Sequence, residues 1–130
     1  MQICIAQTKS LKAKIQENIQ NHLRIIEQAI LLNADLIIFP ELSISNYELA
    51  LATKLSTDIN DNIFNPFQIL SDKNNITIGI GMPINTSKGI QISMLIFQAN
   101  KKRNIYSKQM LHTDELPYFV CGNEQVFLDI

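Results

Sequence analysis

Glu41 is an acidic residue that follows what the sequence predicts to be a buried strand. The apolar run Leu36 to Phe39 is typical of a strand covered on both faces inside a parallel sheet. Pro40 cannot donate to a sheet ladder, so we expect the strand to end there. Glu41 then lies at the carboxyl end of a strand, where open α/β sheets gather ligands. A carboxylate held there against an apolar core suits a general base, although the local pattern alone favours a solvated loop glutamate.

The two cysteines are the candidate nucleophiles. Cys4 lies in an apolar segment and is predicted to be a small buried hydrophobic residue. Cys121 lies in a predicted loop before Gly122, and no sequence rule places its sulfur beside Glu41, so we do not assign it as a nucleophile. Two cysteines do not suggest a disulfide framework and favour a reducing compartment.

The grouping of His112, Asp114 and Glu115 raises the possibility of a metal site. These side chains crowd one predicted loop, and no pair of His or Cys ligands stands elsewhere in the sequence. We therefore predict no metal and no organic cofactor, with His112 as a hydrogen-bonding loop residue. His22 is predicted to be a surface or boundary residue of a helix.

The elements that position Glu41 form a predicted β-α-β unit. A strand over 2–7 precedes a helix over 13–32, whose apolar residues recur at three- and four-residue spacing: Ile15, Ile19, Leu23, Ile26 and Ile30. Asn33, which tolerates the left-handed conformation, ends the helix, and the strand that leads to Glu41 follows. Such units normally contain parallel strands.

The rest of the chain predicts an alternation of helices, strands and loops. Asn46 and Tyr47 mark a turn, and the further elements are helices at 48–55 and 63–71 and strands at 76–82, 89–98 and 104–107, before a loop-rich stretch at 108–124. Gly79 and Gly81 leave one side of the third strand bare, so we expect backbone or ligand to pack closely there.

Val126 to Ile130 is apolar and strand-like, and the sequence stops inside it. Because an open strand edge is a liability, we expect that the sequence is cut short at this point.

Composition indicates one globular domain over residues 1–130. Apolar residues make up 46% and charged residues 18%, and the net charge of −1 gives no reason to expect a nucleic acid or a membrane as partner. The only basic run, 101–103, is predicted to be a solvated turn. No signal peptide and no bilayer-length apolar run is visible, so we predict a cytoplasmic protein.

Three motifs together resemble signatures of the nitrilase superfamily of carbon–nitrogen hydrolases. Residues 33–43 (NADLIIFPELS) are similar to its catalytic glutamate signature, and 106–111 (YSKQML) to its catalytic lysine signature. Glu115, followed by Tyr118, Phe119 and Gly122, resembles the segment of its second glutamate. Gln7 and Asn18 also fit. The match runs from Met1 to the last residue.

The resemblance implies an α/β fold, half of an α-β-β-α layered sandwich with a mixed, largely parallel sheet flanked by helices. It implies that Glu41 is a general base, that Lys108 stabilises the oxyanion, and that Glu115 holds Lys108 charged or assists the attacking water. Without the resemblance, Lys108 is more simply a surface lysine and Glu115 a solvated loop acid. The substrate would be a small amide or N-carbamoyl compound rather than a nitrile.

The sequence departs from the family pattern in three ways. Asn33 and Asn46 replace common glycines, and both tolerate positive φ. Cys121 stands where proline is frequent. The nucleophilic cysteine of the family belongs to a third signature, beyond the strand that Val126 is predicted to open, and has no counterpart here.

Three interpretations stay open for a half of such a domain that lacks the nucleophilic cysteine. It is the first half of a hydrolase, inactive alone; or one subunit of a two-chain amidase; or a non-catalytic binding or assembly module. We expect strands containing Ile3, Ile37 and Ile78 to be neighbours, and Glu41 and Lys108 to share a cleft close to Glu115. We also expect apolar surface near Val126, Phe127 and Leu128 to favour self-association or pairing with a second-half chain.

Overall fold

The computed structural model describes residues 1–130 and contains one five-stranded mixed sheet with the strand order β1-β2-β3-β4-β5. The strands are β1 (Ile3–Ile5), β2 (Leu36–Ile38), β3 (Thr77–Thr86), β4 (Gly89–Phe97) and β5 (Asn104–Ser107). The helices are α1 (Ile15–Leu31), α2 (Ala52–Leu55) and α3 (Asn65–Asn74), and short 3₁₀ turns precede α2 at Leu49–Leu51 and α3 at Asn62–Phe64.

The first three strands are parallel, as the β-α-β pattern predicts. Cys4 pairs with Ile37, and Ile37 pairs with Ile78, so the three predicted neighbour strands lie side by side. β3, β4 and β5 then continue the sheet as an antiparallel meander. The predicted α/β fold with a mixed sheet is therefore confirmed, but the expectation of a largely parallel sheet is wrong, because β3, β4 and β5 pair antiparallel.

α1 and α3 cover one face of the sheet, and the main hydrophobic core lies between these helices and that face. α1 contributes Ile19, Ile26 and Ala29, because positions three and four apart share one helix face. The sheet and α3 contribute large buried side chains, among them Ile37, Ile78, Ile80, Leu95, Phe97, Phe64 and Phe67.

Asparagine closes four of the left-handed turns. Asn33 and Asn46, at the positions where the family pattern commonly has glycine, have φ values of 57° and 64°, and Asn75 and Asn100 have φ values of 51° and 57°. Asn tolerates this region because its short polar side chain bonds locally. The departures at Asn33 and Asn46 therefore leave both turns intact.

The edge strand β1 is short, and this corrects the prediction for Cys4. Ile3 and Ile5 expose their side chains, whereas Cys4 is partly buried and packs against the main core. Cys4 is thus not fully enclosed, because β1 has a neighbouring strand on one side only.

Two predictions for exposed segments are wrong. Residues 126–130 form no strand, and Phe127 is 89% exposed, because an apolar pattern does not itself supply a strand to pair with. Arg103 is not a solvated turn residue: its guanidinium donates to the main-chain oxygens of Ile59 and Asp61.

None of the helices combines the length and the apolar character that crossing a bilayer requires.

Candidate active site

The ammonium group of Lys108 lies between two carboxylates. Its Nζ is 2.8 Å from Oε1 of Glu115, and 3.2 Å from Oε2 and 3.3 Å from Oε1 of Glu41. The structure thus brings together the three side chains that the sequence singles out. We name them the Glu-Lys-Glu cluster.

Three different parts of the fold supply the cluster. Glu41 follows β2, and Lys108 follows β5, where its main-chain N–H donates to Ile92 of β4 and so continues the ladder. Glu115 lies in a tight turn, and its main-chain N–H donates to the carbonyl of His112. Each side chain therefore stands just beyond the end of a strand or on a turn, where the backbone can aim it into a cleft.

Glu115 is completely buried and is paired at both carboxylate oxygens. Oε1 accepts hydrogen bonds from Lys108 and, at 2.7 Å, from the hydroxyl of Tyr47, while Oε2 accepts one from the N–H of His112 at 2.7 Å. Burial raises the pKa of the Glu115 carboxyl, but the bonds from Lys108, Tyr47 and His112 outweigh burial and hold this pKa below its ordinary value. Glu115 is therefore a buried carboxylate anion.

Lys108 remains charged in this setting. Burial lowers the pKa of its ammonium, but hydrogen bonds and attraction from Glu115 and Glu41 outweigh burial and raise this pKa above its ordinary value. The Lys108 side chain is 24% exposed, so the cation is shielded from most of the solvent but still reaches the cleft. Such a fixed cation suits the stabilisation of developing negative charge.

Glu41 is more open than the sequence predicts. Its side chain is 42% exposed, so the expectation that it is held against an apolar core is wrong. Pro40 ends the strand and turns the chain outward, which leaves the carboxylate at the rim with Lys108 as its one paired partner.

The chain from Pro40 to Ser45, which we name the Glu41 turn, packs directly on β3. A Cβ atom on Gly81 would lie 2.4 Å from the nitrogen of Leu42 and 2.5 Å from the oxygen of Pro40. The main-chain N–H of Ile44 donates to the carbonyl of Gly81. At Gly81 the bare side of the third strand is therefore filled by backbone, one of the two alternatives that the glycine pattern predicts, whereas at Gly79 it is filled by the side chain of Met94.

The Glu41 turn is also hydrogen-bonded to α1. The side-chain amide of Asn18 donates to the carbonyl of Ile44, and the hydroxyl of Ser43 bonds to Nε2 of His22 at 2.9 Å. These bonds hold the Glu41 turn in a strained conformation. The strain is seen at Leu42, whose φ of 52° is unusual for a bulky residue.

His22 is buried, so its prediction as a surface or boundary residue is wrong. Nδ1 lies 2.8 Å from the carbonyl oxygen of Asn18 and therefore carries the proton, which leaves Nε2 to accept from Ser43. Burial lowers the pKa of the imidazole to about 4. The sequence holds a signal for this, because His22 stands between Ile19 and Ile26 at helical spacing.

A small cleft opens beside the cluster on the sheet face opposite α1. Its volume is about 160 Å³, and it is lined by Glu41, Gly81, Ile92, Ser93, Met94, Tyr106 and Lys108. This volume is well below the range of drug-sized ligand pockets. The cleft combines an apolar wall with one cation and one carboxylate.

Neither cysteine lines this cleft. Cys4 lies on the edge strand β1, and Cys121 is exposed, with its carbonyl accepting from the side chain of Gln91. His112 contributes its main-chain N–H to Glu115 while its side chain faces solvent, so the predicted hydrogen-bonding role belongs to the backbone. No group of three or more His, Cys, Asp or Glu side chains could hold a metal ion.

Tyr47 is the residue of this site that sequence reasoning missed. The sequence marks it only as part of a turn, and no local pattern connects it with Glu115 across the fold. The contact could be found only from the way the two loops are brought together.

Comparison with known proteins identifies the family. The model of the carbon–nitrogen hydrolase family matches residues 2–126, and the chain belongs to this family. The resemblance to the nitrilase superfamily is thereby confirmed. No curated protein sequence gives a significant match.

Solved structures share the fold over almost the whole chain. A CN-hydrolase superfamily protein from Xanthomonas campestris, with an arsenic adduct in its active site, is 17% identical with a TM-score of 0.86 over 98% of this chain and 48% of its own. A branch 10 member of the nitrilase superfamily from Saccharomyces cerevisiae is 18% identical, with a TM-score of 0.79 over 95% of this chain and 49% of its own.

An amidase from Nesterenkonia sp. is 17% identical with a TM-score of 0.80, and the match covers 95% of this chain and 49% of the amidase. That structure carries the acetamide moiety of fluoroacetamide covalently added at the active-site cysteine of a mutant. The present chain spans about half the length of each of these three proteins.

Proposed function

We propose that residues 1–130 form the first half of an amidase-type carbon–nitrogen hydrolase domain, which supplies the charged part of the active site. Glu41 is the general base, Lys108 stabilises the oxyanion, and Glu115 holds Lys108 in place. The observation that carries this proposal is the position of the Lys108 Nζ atom, within 3.3 Å of both Glu41 and Glu115 at the mouth of a small cleft.

The proposed chemistry needs one further group, a thiol. Glu41 takes the proton of the thiol, and the thiolate attacks the carbonyl carbon of an amide. Negative charge develops on the former carbonyl oxygen, where the Lys108 ammonium stabilises it. Glu41 then gives the proton to the leaving amine as the carbon–nitrogen bond breaks. Water, activated by the same carboxylate, hydrolyses the resulting thioester.

We propose that this thiol comes from outside residues 1–130, in the same polypeptide or in a second chain. In support, Cys4 and Cys121 do not line the cleft, and the Nesterenkonia amidase is described as reacting at an active-site cysteine. The 130 residues alone would then have no amidase activity. Removal of a nucleophile that acts within a unit costs on the order of a millionfold in rate in the best-studied hydrolase.

The proposed substrates are small linear amides and N-carbamoyl compounds. The small cleft volume supports a compact substrate, and one cation facing one carboxylate suits a neutral amide better than a charged group. Self-association or pairing with a second-half chain is proposed through the apolar segment at Val126, Phe127 and Leu128, where Phe127 is almost fully exposed. Cytoplasmic location, and the expectation of no nucleic-acid or membrane partner, stay predictions.

The test is to assay the 130-residue chain and a longer form that carries a cysteine-bearing second half on a panel of amides and N-carbamoyl compounds. We expect turnover only by the longer form, and its loss in Glu41→Gln and in Lys108→Ala. Glu124→Gln and Lys102→Ala, which change exposed residues outside the cleft, serve as matched controls.

Three outcomes would contradict the proposal. Turnover by the short chain that disappears in Cys121→Ala would make Cys121 the nucleophile. Turnover by the longer form that survives both Glu41→Gln and Lys108→Ala would remove the Glu-Lys-Glu cluster from the chemistry. Folded but inactive longer forms would favour the non-catalytic binding or assembly module.

A further inference from the structure

Tyr47 binds the buried carboxylate of the cluster from the loop that follows Glu41. Its hydroxyl donates to Oε1 of Glu115 at 2.7 Å, and this is the same oxygen that accepts from Lys108 at 2.8 Å. Two donors thus share one oxygen of a carboxylate that is itself fully buried, although Tyr47 and Lys108 are both partly exposed. The position of the Lys108 ammonium therefore depends on how strongly Tyr47 competes with it for Oε1 of Glu115.

The contact closes a ring of hydrogen bonds across two loops. Glu41 bonds Lys108, Lys108 bonds Glu115, and Glu115 bonds Tyr47, which lies on the same loop as Glu41. A ring of this kind fixes the separation of the two carboxylates, because neither loop can move without breaking one charge-assisted bond.

The backbone on either side of Tyr47 is anchored. Asn46 has a φ of 64°, and its side-chain amide donates to Glu48 at 3.3 Å. Glu48 in turn lies 2.9 Å from the ammonium of Lys12. These contacts aim the phenol inward although part of its ring is exposed.

The phenol acts as a donor and keeps its proton. Burial, the hydrogen bond to Glu115, and the negative charges of Glu115, Asp114 and Glu41 all raise the pKa of Tyr47. A phenol of this kind does not take part in proton transfer at neutral pH. Any effect of Tyr47 on the reaction therefore passes through Glu115.

We propose that Tyr47 is a positioning residue, which holds Glu115 so that the Lys108 ammonium stays within reach of Glu41. Without the hydroxyl, Oε1 of Glu115 offers all of its acceptor capacity to Lys108. The ammonium, already closer to Glu115 than to Glu41, then withdraws from the cleft. This inference deepens the proposed function and rests on it for its catalytic meaning.

The first test needs no turnover. The carboxyl carbon of Glu115 is titrated by NMR in the 130-residue chain, in Tyr47→Phe and in Tyr118→Phe. Tyr118 is a matched control, since its phenol makes no hydrogen bond and lies in the same turn as Glu115. In Tyr47→Phe we expect the titration midpoint of Glu115 to rise by about one pH unit, because one of its three donors is lost.

The same samples separate positioning from simple structural support. A purely structural role predicts a lower unfolding midpoint in urea with an unchanged Glu115 titration, and that result would overturn the inference. A raised Glu115 midpoint in Tyr47→Phe, with none in Tyr118→Phe, supports it.

The second test uses the longer, cysteine-bearing form. We expect Tyr47→Phe to lower kcat by about tenfold with little change in KM, because the oxyanion is formed only in the transition state. Wild-type kcat in Tyr47→Phe would refute the positioning role while leaving the proposed function intact. Full turnover in Lys108→Ala would instead refute the proposed function, so the two failures are distinguishable.

Discussion

The imidazole of His22 stacks on the phenyl ring of Phe39, with the ring centroids 4.1 Å apart and an angle of 22° between the planes. Phe39 directly precedes Pro40, so α1 contacts the chain just before the Glu41 turn as well as within it, at Ser43. The histidine is thus a neutral packing residue with two satisfied nitrogens. Its protonation is disfavoured in the folded state.

His22 makes the stability of the protein depend on pH. Its pKa is about 4 when folded and 6.5 in an unfolded chain, so the unfolded state binds a proton more readily. The contribution of His22 is complete above pH 6.5 and is lost as the pH falls towards 4, by roughly 3 kcal/mol in total. Urea unfolding between pH 7 and pH 5 should show this slope.

The two histidines of the chain provide the control for this slope. His22→Gln should remove most of it, whereas His112→Gln, at an exposed side chain, should keep it. An unchanged slope in His22→Gln would show that other groups cause it.

Gly81→Ala should displace the Glu41 turn. The added methyl group would meet the backbone of Pro40 and Leu42 within 2.5 Å, and backbone cannot move aside as a flexible side chain can. We expect a loss of about 2 kcal/mol of unfolding free energy, as in overpacked cores. Gly79→Ala is the matched control, because its Cβ meets the sulfur of Met94 at 3.0 Å, and thermal unfolding should rank it as the milder change.

Glu115→Gln should destabilise the folded chain. The substitution leaves the Lys108 ammonium paired with Glu41 alone. It also places a neutral amide where Tyr47 and the N–H of His112 donate to a carboxylate. Breaking a buried ion pair at one partner costs about 3 kcal/mol, which urea unfolding at pH 7 would measure. Glu124→Gln should have no comparable effect, and equal stability of the two variants would contradict the buried pair.

Arg103→Met should lower the free energy of unfolding by about 2 kcal/mol. The guanidinium donates to the carbonyl oxygens of Ile59 and Asp61 and lies 5.7 Å from the ring centre of Phe97. Lys102→Met, at the exposed neighbour, should change the unfolding free energy little. If both substitutions had the same small effect, the basic run would be the solvated turn that its sequence predicts.

The fold could be predicted where periodicity is strong. The apolar spacing of α1 and the buried run of β2 locate a β-α-β unit, because both patterns follow from which faces the backbone must bury. The apolar pattern of residues 126–130, by contrast, wrongly predicts a strand. A strand needs a hydrogen-bonding partner, and apolar character does not provide one.

The candidate site could be predicted only through motifs. Lys108 and Glu115 look like surface residues in isolation, and family resemblance alone singles them out. The sequence does not reveal that Tyr47 approaches Glu115 or that His22 stacks on Phe39, although the helical spacing of His22 between Ile19 and Ile26 does indicate burial. Long-range polar contacts depend on the assembled tertiary structure, whereas hydrophobic periodicity is local.

The asparagines at positive φ, such as Asn33 and Asn75, also affect the unfolded state. Glycine would enter the left-handed region with less strain, but it would give the unfolded chain more conformations to lose on folding. Only four glycines occur in the chain, so its turns restrict the disordered ensemble more than glycine turns would. These turns thus stabilise the fold in part because an unfolded chain with asparagine at these positions loses less conformational entropy on folding than one with glycine.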